Sequence, residues 1–179
     1  MGAWNPDHMN YNATLRFCLV IALIALIFAS PSFAGRPLEV GAKAPDWILS
    51  NGNGQDISFY QDSADQPAVI LFWATWCPYC AELMPELKTL QEQFKDTRVK
   101  FYALNVWEDG DAPSYMTKHG YDFTLLLNAD MVAKRYSVKG TPGLLVVDKD
   151  KIVRYIRVKG TSAADAAAEV KAFLLKGVE

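Results

Sequence analysis

The sequence predicts an α/β fold, a central mixed β-sheet flanked by helices on both faces, with a β-hairpin on its N-terminal side. Three observations predict it. Val69-Ile70-Leu71-Phe72-Trp73 is a continuous apolar run, as expected of a strand covered on both faces. Strand-like and helix-like stretches then alternate, which calls for a sheet with helices packed on it. The chain closes with a second hairpin and a helix, which adds antiparallel strands.

The elements follow in order. Asp46 to Ser50 and Asp56 to Tyr60 read as two strands of a hairpin. Asn51-Gly52-Asn53-Gly54 between them supplies the positive φ that tight turns need. Gln61 to Pro67 is a polar connector, and Gly35 to Lys43 a loose leader. After the run at 69–73, Leu83, Leu87, Leu90 and Phe94 share one helical face. Pro85 lies within that helix and should bend it. Val99 to Trp107 is the next strand, and Asp111 to His119 a short helix with Asp111 as cap and Gly120 as terminator. Phe123 to Leu127 is a strand and Asp130 to Tyr136 a short helix. Gly143 to Val147 and Ile152 to Val158 pair across Asp148-Lys149-Asp150-Lys151. Ser162 caps the last helix with Asp165 three residues on. Its apolar face is Ala166, Val170, Phe173 and Leu174, and Gly177 ends it.

The 179 residues carry a formal charge of −2 with no block of like charge, so nothing points to nucleic acid as a partner. Arg16 precedes 13 apolar residues, Phe17 to Ala29. That run suits a signal-peptide core but falls short of the roughly 20 residues of a membrane span. Ser32-Phe33-Ala34 supplies small residues at −3 and −1 for cleavage before Gly35. The expected organisation is a signal peptide over 1–34 and one domain over 35–179. The alternative keeps residues 15–33 as an uncleaved anchor. Met9 is an alternative start to Met1 and leaves a compact, positive n-region. A signal peptide implies an exported, disulfide-permissive location, a bacterial periplasm or a comparable secretory compartment.

Of the three cysteines, Cys18 lies in the segment expected to be removed. Cys77 and Cys80 remain, and within one chain they can bond only to each other. Closing so short a loop stabilises a fold by about 2 kcal/mol at most, so a structural staple would be poorly placed here. A reversible couple, by contrast, calls for a short, exposed pair. Zinc needs four ligands, usually Cys or His, and beyond the signal segment there are only Cys77, Cys80 and His119. No metal and no cofactor are expected. A C-x-x-C pair where a buried strand turns into a helix reads as a thiol–disulfide redox centre. Pro is favoured at the first helical position, which makes Cys77 the N-cap and puts Cys80 one turn in, where it should be more buried. The Cys77 sulfur then faces free N–H groups and the positive helix end, which stabilises a thiolate. Cys77 is the expected nucleophile and Cys80 the resolving thiol.

Phe72-Trp73-Ala74-Thr75-Trp76-Cys77-Pro78-Tyr79-Cys80 resembles the active-site segment of thioredoxin-fold proteins. Gly41 to Trp47 and the insert between Trp107 and Phe123 resemble the TlpA-like branch of exported thiol–disulfide oxidoreductases. The resemblance implies a thioredoxin-like fold with an N-terminal hairpin and a central insert. It implies a cis bond at Thr141-Pro142 facing the cysteine pair. Trp76, Pro78, Tyr79, Thr141 and Pro142 are the implied substrate-binding residues. Two departures stand out. Leu71 and Leu83 occupy places where such proteins carry an Asp or a Glu. Glu108, at a strand end near the motif, is therefore the candidate proton acceptor for Cys80, its alternative being a solvated loop carboxylate. Pro78-Tyr79 resembles the glutaredoxin motif, but Trp76, the export signal and the insert argue against that assignment.

The resemblance implies a protein-disulfide oxidoreductase that reduces exported proteins, such as the cysteine pairs of apocytochromes c in cytochrome c biogenesis. The expected partners are exported thiols and disulfides and a membrane thiol-reducing carrier, and the chain is expected to be a monomer. The alternatives are a thiol oxidase or isomerase, a peroxiredoxin-like peroxidase, and a non-catalytic binding module. Peroxiredoxins favour a Thr three residues before the cysteine, whereas Thr75 stands two before Cys77. Scarce His and Met ligands near the pair speak against a copper chaperone.

Overall fold

The computed structural model describes residues 37–177. The segment expected to be a signal peptide, the expected cleavage site and Cys18 lie outside the described residues. Strands are β1 (Ile48–Ser50), β2 (Asp56–Ser58), β3 (Ala68–Trp73), β4 (Lys100–Asn105), β5 (Thr124–Leu126), β6 (Gly143–Val147) and β7 (Val153–Ile156). Helices are α1 (Phe59–Asp62), α2 (Pro78–Gln93), α3 (Ala112–His119), α4 (Asp130–Arg135) and α5 (Ala163–Gly177).

Five strands form one sheet in the order β5-β4-β3-β6-β7. β3, β4 and β5 are parallel; β6 and β7 join antiparallel. The sheet is therefore mixed, as the alternation followed by a hairpin requires. β3 is central and buried at every position. Its period of two explains the unbroken apolar run. Val69, Leu71 and Trp73 enter one core with Leu83, Met84, Leu87 and Leu90 of α2 and Ala166, Val170 and Leu174 of α5. Ala68, Ile70 and Phe72 enter the other, with Val132 and Ala133 of α4 and the aromatic group Trp47, Phe59 and Tyr102. α2 runs through Pro85 to Gln93, and Gly120 ends α3 with φ +63°.

Two expectations are corrected. The first hairpin stops at Ser58, and Phe59–Asp62 is a helical turn rather than strand and connector. The turn brings Phe59 to full burial, stacked on Trp47 at 5.0 Å between ring centroids. That burial, worth ~1.5–3 kcal/mol for a phenylalanine, outweighs two more rungs of an exposed ladder. The turn at 51–54 also carries more than glycine: the Asn51 side-chain carbonyl accepts from the backbone N–H of Asn53 and of Gln55, both at 2.9 Å. The leader is the second correction. Its end pairs with the β7 edge, where Gly41 N–H donates to Val153 O at 2.8 Å and Val153 N–H to Ala42 O at 2.9 Å. The pairing covers an otherwise open sheet edge.

A buried lysine ties these parts together. Lys151, in the β6–β7 turn, is 5% exposed, and its ammonium donates to the carbonyls of Ser63, Gln66 and Lys149 at 2.6–3.1 Å. It thereby serves the end of α1 and the connector before β3.

Candidate active site

The site forms where β3 ends and α2 begins. Pro78 occupies the first helical position and Cys77 caps the helix with extended dihedrals, φ −85° and ψ 108°. Cys77 and Cys80 are joined as a disulfide with Cα atoms 5.2 Å apart. The Cys80 N–H donates to the Cys77 sulfur at 3.2 Å, so one orphan donor of the first turn meets that atom. Both residues are nevertheless covered, Cys77 at 3% exposure and Cys80 at 1%. An exposed Cys77, the expectation from reversibility, is thus corrected, whereas the burial of Cys80 inside the first turn is as expected. The cap folds the Cys77 sulfur back over the first turn, and both cysteines join the apolar cluster under α2. Trp76, Pro78 and Tyr79 occupy the surface around them, with Tyr79 64% exposed.

Thr141 and Pro142 precede β6, the antiparallel neighbour of β3, and their peptide bond is cis. Together with Tyr79, Leu83, Arg157 and Lys159 they line a cleft of about 440 Å³. The structure therefore brings three of the five expected substrate-binding residues, Tyr79, Thr141 and Pro142, to one cleft. Pro78 sits at the helix start. Trp76 turns the other way, its indole N–H donating to Trp107 O at 2.8 Å.

Glu108 lies in the turn after β4. Parallel pairing sets Asn105 opposite Trp73, so the ends of β4 and β3 coincide and Glu108 meets Thr75. Its carboxylate accepts from the Thr75 hydroxyl at 2.6 Å and the Thr75 N–H at 2.9 Å. It also accepts from the Asn105 amide at 2.5 Å, the Gly110 N–H at 2.9 Å and the Asp109 N–H at 3.1 Å. Partial burial pushes its pKa up, but the hydrogen bonds from Thr75, Asn105 and Gly110 outweigh burial and hold it below its ordinary value. Because the folded pKa is depressed, the stabilisation is complete above the ordinary value near 4.5 and is lost as pH falls through the folded one. The stability gap between wild type and Glu108→Gln should therefore narrow on acidification through that window. Thermal melts against pH check this, and a constant gap would count against it.

Sequence reasoning missed Asn105, Gly110 and Arg157. Asn105 carried a signal, a polar residue ending an apolar strand, and it is 4% exposed. Gly110 carried none: a Cβ there would lie 2.5 Å from the Thr75 hydroxyl oxygen, a contact visible only in three dimensions. Arg157 donates to Thr161 O at the cleft rim.

A five-stranded mixed sheet with a C-x-x-C pair capping its first long helix defines a thioredoxin-like protein-disulfide oxidoreductase of the TlpA-like type. The comparisons agree. The model of the AhpC/TSA family matches residues 40–156, and the chain belongs to that family. It is 28% identical over 128 residues to the thiol-disulfide oxidoreductase ResA of Bacillus thuringiensis subsp. konkukian, covering 69% of this chain and 73% of that protein. With ResA of Geobacillus thermodenitrificans it shares 28% identity over 145 residues, 80% of this chain and 82% of the relative. A Chlorobium tepidum structure described as a DsbE thiol:disulfide interchange protein superposes with a TM-score of 0.70 at 24% identity, covering 79% and 99% of the two chains, and supports the fold.

Proposed function

We propose that the chain is an exported reductase of protein disulfides, working by dithiol exchange at Cys77 and Cys80. The observation that carries this reading is the pair at the start of α2, with the Cys80 N–H on the Cys77 sulfur. In the reduced protein the same N–H and the helix end favour a Cys77 thiolate. That thiolate attacks one sulfur of a substrate disulfide and forms a mixed disulfide, releasing the other substrate sulfur as a thiolate that takes up a proton. The Cys80 thiol then loses its proton and attacks Cys77. The second substrate thiol leaves, and the protein disulfide forms. Two electrons pass to the substrate, and a second dithiol, supplied by a membrane thiol carrier, restores the pair. The cleft lined by Tyr79, Thr141 and Pro142 is the proposed seat of the substrate segment.

Residues 1–34 are the proposed export signal and 35–179 the exported domain. Cysteine pairs of apocytochromes c are the proposed substrates, in keeping with the TlpA-like resemblance. A peroxidase is less well supported, because the proton of the Thr75 hydroxyl is committed to Glu108 rather than to the Cys77 sulfur.

Titrating the Cys77–Cys80 couple against glutathione tests the direction. A potential of about −270 mV or lower is expected of a reductant, whereas one near about −120 mV would mark an oxidase and overturn the reading.

A further inference from the structure

We infer that Glu108 is a positioning residue for the Cys77–Cys80 couple, clamping the Thr75–Trp76 segment that leads into the nucleophile. The inference rests on the reading that Cys77 attacks the substrate. It replaces the role of proton acceptor that sequence reasoning assigned to Glu108.

The carboxylate is fully engaged. One oxygen accepts the Thr75 hydroxyl and the N–H groups of Asp109 and Gly110; the other accepts the Thr75 N–H and the Asn105 amide. An ionised carboxylate has about four lone-pair sites, so five donors leave none aimed at a thiol proton. Its depressed pKa points the same way, since a weak base gains little from that proton.

The rest of the turn holds the same segment. Val106 N–H donates to Trp73 O at 2.9 Å, and the Asn105 amide also reaches Trp73 O at 3.5 Å. Trp107 accepts the Trp76 indole while its own N–H is held by the Asp130 carboxylate at 3.1 Å. Trp107 adopts φ +50°, a left-handed conformation that a bulky residue adopts only when its surroundings impose it. Gly110 lets the turn close on Thr75, where a Cβ would collide with the hydroxyl. Trp73, Thr75 and Trp76 are thus all tied to residues 105–108, and Cys77 comes next in the chain. Among the described residues, Glu108 alone reaches both the backbone and the side chain of Thr75.

The test is a double-mutant cycle on turnover of a peptide disulfide, with Glu108→Gln, Thr75→Val and the double variant, each followed against pH. Glutamine puts an NH₂ where donors converge, and valine removes the hydroxyl. Each single variant should lose about tenfold or more in kcat, in line with the sensitivity of reaction rates to small misplacements. The midpoint of the pH–rate profile should not move. The double variant should lose no more than the worse single one, because both break one unit. Thr75→Ser should restore most of the rate lost in Thr75→Val. A shifted or vanished pH limb in Glu108→Gln, losses that multiply in the double variant, or wild-type turnover in Thr75→Val would each overturn the clamp. If Glu108→Gln fails to fold, the serine and valine variants of Thr75 decide, and equal rates for the two overturn it. Turnover surviving in Cys77→Ser would overturn both the reading and the clamp. Turnover lost there but unchanged in Glu108→Gln would overturn the clamp alone.

Discussion

Cys77→Ser should abolish reduction of a peptide disulfide, and Cys80→Ser should leave a stable mixed disulfide on Cys77. These are the largest effects expected on activity. The nucleophile is a thiolate, and a serine hydroxyl at the same helix cap stays protonated and does not attack sulfur. The asymmetry follows from position. Cys77 caps α2 and its sulfur receives an N–H of the first turn, whereas Cys80 lies inside that turn at 1% exposure. With Cys80 changed to serine the first exchange proceeds and the second cannot. Non-reducing electrophoresis and intact-mass measurement after mixing with substrate read the trapped species. Equal trapping by the two variants would overturn the assignment of attacking and resolving thiols.

Phe59→Ala should cost about 3–5 kcal/mol of stability, the range for truncating a fully buried phenylalanine. Phe59 is 0% exposed. Its ring stacks on Trp47 at 5.0 Å, meets Tyr102 edge-on at 5.8 Å, and lies under the Lys151 ammonium at 5.8 Å. The ring therefore joins the N-terminal hairpin, β4 and the β6–β7 turn. Truncation leaves a cavity that these elements can collapse around only in part. Equilibrium urea unfolding of the oxidised protein measures the loss. A value under about 1 kcal/mol would mean that the hairpin contributes no core of its own.

Much of the site was legible because its signals are local. The C-x-x-C spacing, the proline at the first helical position and the apolar run before them act within one strand and one helical turn, so residue order alone places Cys77 at the cap. The same holds for Asp111 and Gly120 at the two ends of α3. The helical face Leu83, Leu87, Leu90 and Phe94 was equally readable, because a period near 3.6 needs no knowledge of its partner. Glu108 was legible only as a position. Strand-end reasoning brought it near the motif, but its chemistry depended on which donors would surround it.

By itself, then, the sequence determined the class of fold, the strand-to-helix turn that carries the cysteine pair, and which of the two thiols caps the helix. Tertiary structure alone decided that Cys77 is covered as well as Cys80, that Phe59 leaves the first hairpin for a helical turn, and that the leader pairs with β7. It also decided that Glu108 binds Thr75. The reason is range. Caps, turns and periodic faces arise from residues a few positions apart. The Glu108–Thr75 contact spans 33 residues and exists because parallel pairing brings Trp73 opposite Asn105. A strand's alternating pattern pins its register where one face is solvated, but β3 is buried at every position and β4 at all but its first, which leaves the register to packing.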